Sequence, residues 1–200
     1  MLKVALTGGV ATGKSHVLAR FRARGVPCLD ADVLVHGVTG AGTEATAAIA
    51  ARFGPDVLDG DGGVDRARLG PIVFADPSAR RELEAIVHPA VYRAIAAGLR
   101  AFERTGEDPV AVVDVPLLYE TGHAADFDRV IVTVCPSAVQ RARLLDRGLT
   151  EAEAERRIAA QWPVDQKASR ADFVIDTGGP FEATDKHVDL VLQALRSLHP

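Results

Sequence analysis

The first 24 residues constrain the fold of this chain more than any other segment. An apolar run, Lys3–Leu6, leads into a turn with three glycines, and Lys14–Arg24 follows with the apolar spacing of a helix. A strand that is apolar along its whole length is buried on both faces, as in a parallel sheet. The sequence therefore predicts a strand, a glycine-rich turn and a helix, which together begin a βαβ unit.

Further short apolar runs repeat this pattern along the chain and are separated by longer helical segments. Val110–Asp114 is the strongest of them, because four apolar residues precede a single aspartate. Strands that alternate with helices indicate an α/β fold with a five-stranded parallel sheet flanked by helices. The other predicted strands are Val26–Asp30, Val130–Val134 and Phe173–Ile175.

The stretch from Val33 to Gly106 interrupts the alternation, since it contains no convincing strand and is too long for one crossover helix. We expect a helical insert that packs beside the sheet and acts as a lid or a substrate-binding lobe. Its turn-rich break is the sequence GPDVLDGDGG. The predicted helices of the insert are Glu44–Phe53, Asp65–Phe74 and Ser78–Glu103.

Three more helices are predicted after the fourth strand. Ser137–Arg147 and Thr150–Gln161 are rich in arginine, and Phe181–Leu198 is amphipathic. Thr150 and Glu153 have the spacing of a capping box, which starts a helix at this point.

The glycine-rich turn matches the pattern Gly8-x-x-x-x-Gly13-Lys14-Ser15, which is typical of loops that bind phosphate. Backbone N–H groups of such a loop and the start of its helix form a nest for anions. The ammonium group of Lys14 would reach the β- and γ-phosphates of a nucleotide, and the Ser15 hydroxyl would bind Mg²⁺. Asp114 follows a predicted strand and would hold Mg²⁺ through water, although a turn cap is the alternative.

Two aspartates follow the second predicted strand. Asp30 and Asp32 would lie at the carboxyl edge of a parallel sheet, where ligands bind. One of them could accept the proton of an attacking hydroxyl, and we favour Asp32; the alternative for either is a helix cap.

Arg143 and Arg147 are four residues apart, so they share a helix face and could bind one polyphosphate. His88 precedes Pro89 and either stops or kinks a helix; it is a packed histidine or a substrate ligand.

Composition excludes several classes of protein. The chain has 200 residues, 48% of them apolar and 25% charged, with a net charge of −4, which argues against general nucleic-acid binding. No apolar run approaches the ~20 residues that cross a bilayer, and no signal peptide is recognisable. Cys28 and Cys135 have no metal-ligand spacing, so we expect two buried thiols in a reducing cytoplasm.

Several motifs together resemble the dephospho-CoA kinase family. LTGGVATGKS, LDAD, RRELEAIVHP, DVPLLYE, QRARLLDR, RIAAQ and KASRADFVID follow one another in that family's order from about Leu2 to Asp176. The resemblance implies a P-loop kinase fold with a helical CoA-binding insert and a lid. It also implies transfer of the γ-phosphate of ATP to the ribose 3′-hydroxyl of dephospho-CoA, the last step of CoA synthesis, with ATP and Mg²⁺ as cofactors.

The resemblance further implies one domain, 1–200, and a set of site residues. The core would comprise 1–32, 107–136 and 171–200, with the insert at about 33–106 and the lid at about 137–170. The protein would be a monomer or weak homo-oligomer in the cytoplasm, without nucleic-acid or membrane partners. Catalysis would use Asp32, Lys14 and Arg143; ATP binding would use Gly8, Gly9, Ala11, Thr12, Gly13, Lys14, Ser15, His16 and Arg147; substrate binding would use Thr7, Asp30, Asp32, His88, Leu117 and Glu120; Ser15 and Asp114 would bind the metal.

Three positions depart from the family pattern. Ala11 stands where glycine is common, His16 where threonine is usual, and Thr177 where asparagine is usual. The change at Thr177 puts in doubt a specific contact between this position and the adenine base of the nucleotide.

Two alternative functions stay open. Another small-molecule kinase, such as a nucleoside monophosphate kinase, shares the phosphate loop. A nucleotide-dependent switch is the other, but the chain has no NKxD motif of the kind that reads guanine.

Overall fold

The computed structural model describes residues 1–106 and 108–198. Position 107, where the second predicted core segment begins, and positions 199–200, which end the third, lie outside the described residues. The chain divides into two compact units, 1–29 with 101–200, and 30–100. The predicted bounds of the insert and the lid are sequence expectations that this division does not test.

A five-stranded sheet is the centre of the first unit, in the order β2-β3-β1-β4-β5. The pairings β1–β3, β1–β4 and β4–β5 are parallel, so the predicted α/β class and parallel sheet are confirmed. The second strand is shorter than predicted and begins after Pro27, which fixes its own φ and lacks an amide donor. The strands are β1 Leu2–Gly8, β2 Cys28–Asp30, β3 Val110–Asp114, β4 Arg129–Val134 and β5 Phe173–Asp176.

The sheet register brings the chemically interesting strand ends to one edge. Leu6 of β1 pairs with Asp114 of β3, and Gly8 pairs with Thr133 of β4. The loop after β1, the carboxylate at the end of β3 and the end of β4 therefore lie together. This is the edge at which α/β proteins bind ligands.

Helices α1 and α9 cover one face of the sheet and build the main core. α1 buries Phe21, and α9 buries Val188 and Leu195 on one stripe, as an amphipathic helix must. The capping box of Thr150 and Glu153 is present at the start of α7. Apart from the last residues of a long helix that begins in the second unit, the helices of the first unit are α1 Lys14–Ala23, α6 Ser137–Asp146, α7 Glu151–Ala159, α8 Val164–Ala168 and α9 Phe181–Ser197.

The second unit is helical and has its own small core around Ile49, Val57 and Leu69. Its only strand-like feature among the described residues is an isolated antiparallel bridge between Leu58 and Val64. The helices are α2 Ala31–Val38, α3 Glu44–Phe53, α4 Arg66–Ala75 and α5 Pro77–Thr105, with a short 3₁₀ turn at Pro55–Val57.

Three helical expectations differ from the structure, and one of them is α8, a short helix that lies outside the predicted helical segments. Helix α2 was not predicted, because its eight residues include a glycine and three valines, which weaken the helical signal. A stop at His88 is wrong, since α5 continues through Pro89. Among the described residues, none of the helices combines the length and apolar character that a membrane span requires.

Candidate active site

The loop between β1 and α1 has the geometry of an anion nest. Gly13 precedes α1 with a φ of 78°, and no side chain caps the helix there. The first amide groups of a helix have no partner within the helix, and the helix dipole adds positive potential at that end. An uncapped N-terminus after a glycine-rich loop is suited to a phosphate group.

Two glycines of this loop are required by space. A Cβ on Gly8 would lie 2.2 Å from Oγ1 of Thr133 and 2.9 Å from the Thr133 carbonyl oxygen. A Cβ on Gly13 would lie 3.0 Å from the side chain of Thr177, at a φ that other residues rarely adopt. Both positions of the sequence motif are therefore needed to place the loop against its neighbours.

Ala11 occupies a left-handed conformation with a φ of 59°, which is costly for a residue with a Cβ. Its methyl group is buried in a small cluster with Leu144 and Ala154. This packing explains how the chain accepts alanine where the family commonly has glycine.

The peptide groups at Val10 are held by two glutamines that the sequence reading did not identify. Nε2 of Gln140, in α6, donates to the Val10 carbonyl at 2.6 Å. The Val10 amide donates to Oε1 of Gln161, just after α7, at 2.7 Å. Both contacts fix the loop from outside.

Arg143 and Thr177 fix the next two carbonyls of the loop. Nη1 of Arg143 donates to the Ala11 carbonyl at 3.2 Å, and its Nη2 donates to the Thr177 carbonyl at 2.6 Å. The Thr177 hydroxyl donates to the Thr12 carbonyl at 2.7 Å. Because the Val10 and Thr12 amides are also bonded within the protein, an anion would be bound by other amides of the loop and of the first turn of α1.

Lys14 and Asp114 form an ion pair at the edge of the sheet. Nζ of Lys14 lies 2.5 and 2.6 Å from the two carboxylate oxygens of Asp114. The side chains are 15% and 6% exposed, so their interaction is weakly screened by solvent. Ser15, the next residue, is exposed on the first turn of α1. A lysine, a carboxylate and a hydroxyl, all predicted from the sequence, are thus assembled beside the loop.

A second lysine, Lys167, is fully buried near the start of the loop. Its Nζ lies 2.7 Å from Oε1 of Glu120 and donates to the carbonyl oxygens of Gly8 and Pro116, each at 3.3 Å. The Trp162 amide donates to the same Glu120 oxygen at 2.9 Å. Glu120 is therefore engaged inside the protein, and its expected contact with substrate remains a prediction.

Three further predicted site residues also make internal contacts. The hydroxyl of Thr7 donates to the Pro116 carbonyl at 3.2 Å, and that of Thr12 donates to the Gly9 carbonyl at 2.8 Å. Nε2 of His16 lies 2.8 Å from Oδ1 of Asp185 in α9. Their side chains support the loop or anchor α1, and their expected contacts with ligands remain predictions.

Arg147 and Leu117 complete the predicted residues of the first unit. Arg147 is exposed and directly follows α6, one turn beyond Arg143. Leu117 is partly buried, and its carbonyl accepts hydrogen bonds from Thr121.

In the second unit the two aspartates have different roles. Oδ1 of Asp30 accepts from the amides of Asp32 and Val33 at 2.9 and 3.3 Å, so Asp30 is the N-cap of α2. Asp32 is exposed in the first turn of that helix, and its carboxylate makes no hydrogen bond in the described part of the chain. The cap alternative is therefore realised at Asp30 and leaves Asp32 available for chemistry.

The second unit also contains an apolar cavity of about 340 Å³. Val35, Ile49 and Leu69 contribute to its wall, and His88 lies at its lining with Glu84. The cavity gives His88 a position where a ligand contact is feasible, and its substrate role remains a prediction.

Comparisons with known proteins identify the family. A family model for dephospho-CoA kinase, CoaE, matches residues 2–182. A dephospho-CoA kinase of Anaeromyxobacter dehalogenans is 51% identical over 98% of this chain and 93% of its own length. The chain belongs to the dephospho-CoA kinase family. This membership confirms the resemblance, the phosphotransferase class and the P-loop kinase fold expected from the sequence.

Solved structures agree with this assignment. TT1252 from Thermus thermophilus is 31% identical, covers 97% of both chains and superposes with a TM-score of 0.80. A dephospho-CoA kinase from Campylobacter jejuni, 24% identical over 99% of this chain and 98% of its own, has the same fold with a TM-score of 0.76.

The residues that sequence reasoning missed are those that support the loop. Gln140, Gln161 and Lys167 lie in or beside helices more than 100 residues from the loop they contact. The segments RIAAQ and KASRADFVID drew attention to Gln161 and Lys167, but no local pattern assigned either a role.

Proposed function

We propose that this protein transfers the γ-phosphate of ATP to the ribose 3′-hydroxyl of dephospho-CoA and so completes the synthesis of coenzyme A. Membership of the dephospho-CoA kinase family, together with the Lys14–Asp114 pair beside an intact phosphate loop, is the observation that carries the proposal. A kinase needs positive charge and amide donors at the transferring phosphate, and this edge supplies both.

The loop amides bind the phosphates of ATP, and Lys14 places its charge on the β- and γ-phosphates. In the structure Lys14 is bonded to Asp114, so nucleotide binding gives its ammonium group a second acceptor. Arg143, which already contacts the Ala11 carbonyl, belongs to the proposed lid at about 137–170 and adds charge as the transfer proceeds. Arg147 provides a second cation on the same segment.

Asp114 and Ser15 fit a Mg²⁺ ion, because carboxylate and hydroxyl oxygens are the hard ligands that this ion binds. Asp114 would hold it through water and Ser15 through its hydroxyl, with phosphate oxygens among the remaining ligands. Bound Mg²⁺ would neutralise charge on the phosphate oxygens during transfer.

Asp32 is the proposed base. The 3′-oxygen of the ribose forms the new bond to the γ-phosphorus as the bond to the β–γ bridging oxygen breaks, and ADP leaves. Asp32 orients the hydroxyl and accepts its proton late in the step. The proposed acceptor-binding residues are Thr7, Asp30, His88, Leu117 and Glu120, and the helical insert at about 33–106 is the proposed CoA-binding part.

We also propose that the enzyme works in the cytoplasm as a monomer or a weak homo-oligomer, with small molecules as its partners. Cys28 and Cys135 are free thiols, which is compatible with a reducing compartment.

A direct test is ADP release from ATP and Mg²⁺ with dephospho-CoA, AMP, adenosine and pantetheine phosphate as competing acceptors. We expect dephospho-CoA to be the preferred acceptor and its product to carry phosphate on the 3′-hydroxyl. Preferred turnover of AMP would instead indicate a nucleoside monophosphate kinase.

A further inference from the structure

We infer that Lys167 is a positioning residue for phosphoryl transfer, and that it keeps the phosphate loop in register with the end of β3. This inference rests on the proposed kinase function. It extends that function to a residue whose side chain is fully buried in the interior.

The regular β1–β3 pairing ends at Val115. The Val115 amide donates to the Leu6 carbonyl at 2.9 Å and is followed by Pro116, which has no amide hydrogen to offer. The two strands lose regular pairing at the point where β1 enters the phosphate loop and the segment after β3 leaves Asp114. The Thr7 hydroxyl, which donates to the Pro116 carbonyl at 3.2 Å, is one link between them there, and a second donor ties Pro116 to Gly8.

Lys167 is that donor. Its Nζ donates to the carbonyl oxygen of Gly8, at the end of β1, and to that of Pro116, just after β3, each at 3.3 Å. Glu120 supplies the opposite charge at 2.7 Å. An ammonium group has three N–H donors, and these three oxygens use all of them.

The Lys167–Glu120 ion pair carries a desolvation cost. A buried ammonium–carboxylate pair is often no better for stability than apolar residues of similar size, because both charges lose their hydration. Lys167 is fully buried and the Glu120 side chain is 15% exposed, which makes stability alone a weak reason for the pair. The bridge between the Gly8 and Pro116 carbonyls is a geometric task that an apolar residue could not perform.

Loss of the Lys167 contacts is expected to affect the turnover rate more than the binding of nucleotide. Gln140, Gln161, Arg143 and Thr177 hold the loop independently of Lys167, so a variant at Lys167 should keep its phosphate nest. The position of the loop relative to Asp114 would be lost, and small misplacements are felt chiefly in the transition state.

The test compares Lys167→Met/Glu120→Gln with the wild type. This double variant removes both charges together, so it avoids the orphaned carboxylate that could unfold Lys167→Met alone. We expect kcat at saturating dephospho-CoA, where weaker acceptor binding by the Glu120 variant does not limit the rate, to fall at least tenfold. The KM for ATP from steady-state kinetics and the Kd for ADP from calorimetry should each change less than threefold. Assays are run well below the melting temperature of each variant.

The matched control is Arg196→Met/Asp108→Asn. Asp108 forms an ion pair with Arg196 two residues before β3 begins, at the opposite edge of the sheet from the loop. This control should lose stability and keep its kcat. Equal losses of kcat in both double variants, or a kcat within threefold of wild type in Lys167→Met/Glu120→Gln, would overturn the inference.

Failure of the proposed function gives a different result. In that case the wild type would not phosphorylate dephospho-CoA at all. The positioning role would then be judged by slow ATP hydrolysis in water, which should fall at least tenfold in Lys167→Met/Glu120→Gln with ADP affinity unchanged; an unchanged hydrolysis rate would overturn it.

Discussion

The two units of the molecule hold their candidate catalytic carboxylates in different ways. In the first unit Asp114 is 6% exposed and bonded to Lys14. In the second, Asp32 is exposed on the first turn of α2 while its neighbour Asp30 is consumed as a helix cap. The proposed metal ligand is therefore held in advance by an ion pair, whereas the proposed base is exposed to solvent. Under the proposed function, this difference would separate residues that serve the nucleotide from residues that serve the acceptor.

The largest effect is expected at Lys14. Lys14→Ala should reduce kcat/KM by about 10³–10⁵, because phosphoryl transfer depends on cationic charge at the phosphate oxygens. Some loss of stability is expected, because the variant removes the Lys14 partner of the buried Asp114 carboxylate. The fold should survive, since Lys14 lies outside the main core. Circular dichroism and an ADP-release assay check both points, with Lys186→Ala, an exposed lysine of α9, as the control. Undiminished turnover would contradict the phosphate-loop assignment.

The next effect is expected at Asp32. Asp32→Asn keeps the size of the side chain and removes its basicity, so kcat should fall by about 10²–10⁴ with ATP affinity nearly unchanged. Asp30→Asn should cost much less, because asparagine caps a helix about as well as aspartate does. The measurement is kcat of both variants at saturating dephospho-CoA. If Asp30→Asn is the more damaging change, the two roles have been assigned in the wrong order.

An intermediate effect is expected at Arg143. Arg143→Ala should lower kcat by about 10²-fold and ATP affinity by less, since an arginine that meets developing charge acts mainly in the transition state. Calorimetry with ATP and steady-state kinetics measure the two losses. Equal losses would mean that the contact of Arg143 with the Ala11 carbonyl serves ground-state binding instead.

Much of the nucleotide side could be predicted from the sequence, because its signals are local. The pattern from Gly8 to Ser15 and the aspartate that ends β3 each follow from a few adjacent residues. The supporting contacts could not be predicted, since Gln140 and Lys167 reach the loop across 130 and 159 residues. No short-range periodicity records such a pairing.

The second unit shows a different limit of sequence reasoning. Its helices α3, α4 and α5 were predicted with nearly correct bounds, because they are long and periodic. Helix α2 was missed, although Asp30 and Asp32 were both recognised. The sequence could not decide which aspartate is the cap, since both stand close enough to the helix start; the backbone conformation of Asp30 decides it.

The smallest effect on activity is expected at the cysteines, which neither unit uses in the proposed chemistry. Burial raises the pKa of the Cys28 thiol to about 12 and also raises the pKa of Cys135, so neither forms much thiolate at neutral pH. Cys28→Ser/Cys135→Ser should keep kcat within about twofold, apart from packing losses. A specific loss of turnover in this variant would contradict the assignment of both residues as structural.

The raised pKa of Cys28 also predicts a pH dependence of stability. Because the folded state keeps the thiol proton more tightly than the unfolded state, stability is unaffected below pH 9 and decreases as the pH rises from 9 towards 12. Urea unfolding at pH 7 and pH 10 measures the free energy of unfolding at each pH. Between the two, this free energy should decrease more for wild type than for Cys28→Ala, and equal decreases would show that Cys28 does not titrate in this way.

The most direct test of the division between nucleotide and acceptor residues is to measure ADP release with and without dephospho-CoA in Lys14→Ala and Asp32→Asn side by side. The account predicts that Lys14→Ala lowers both the acceptor-dependent rate and the slow hydrolysis of ATP by water. It predicts that Asp32→Asn lowers only the acceptor-dependent rate, by about 10²–10⁴. Loss of water hydrolysis in Asp32→Asn to the same extent as transfer, or loss of transfer alone in Lys14→Ala, would contradict it.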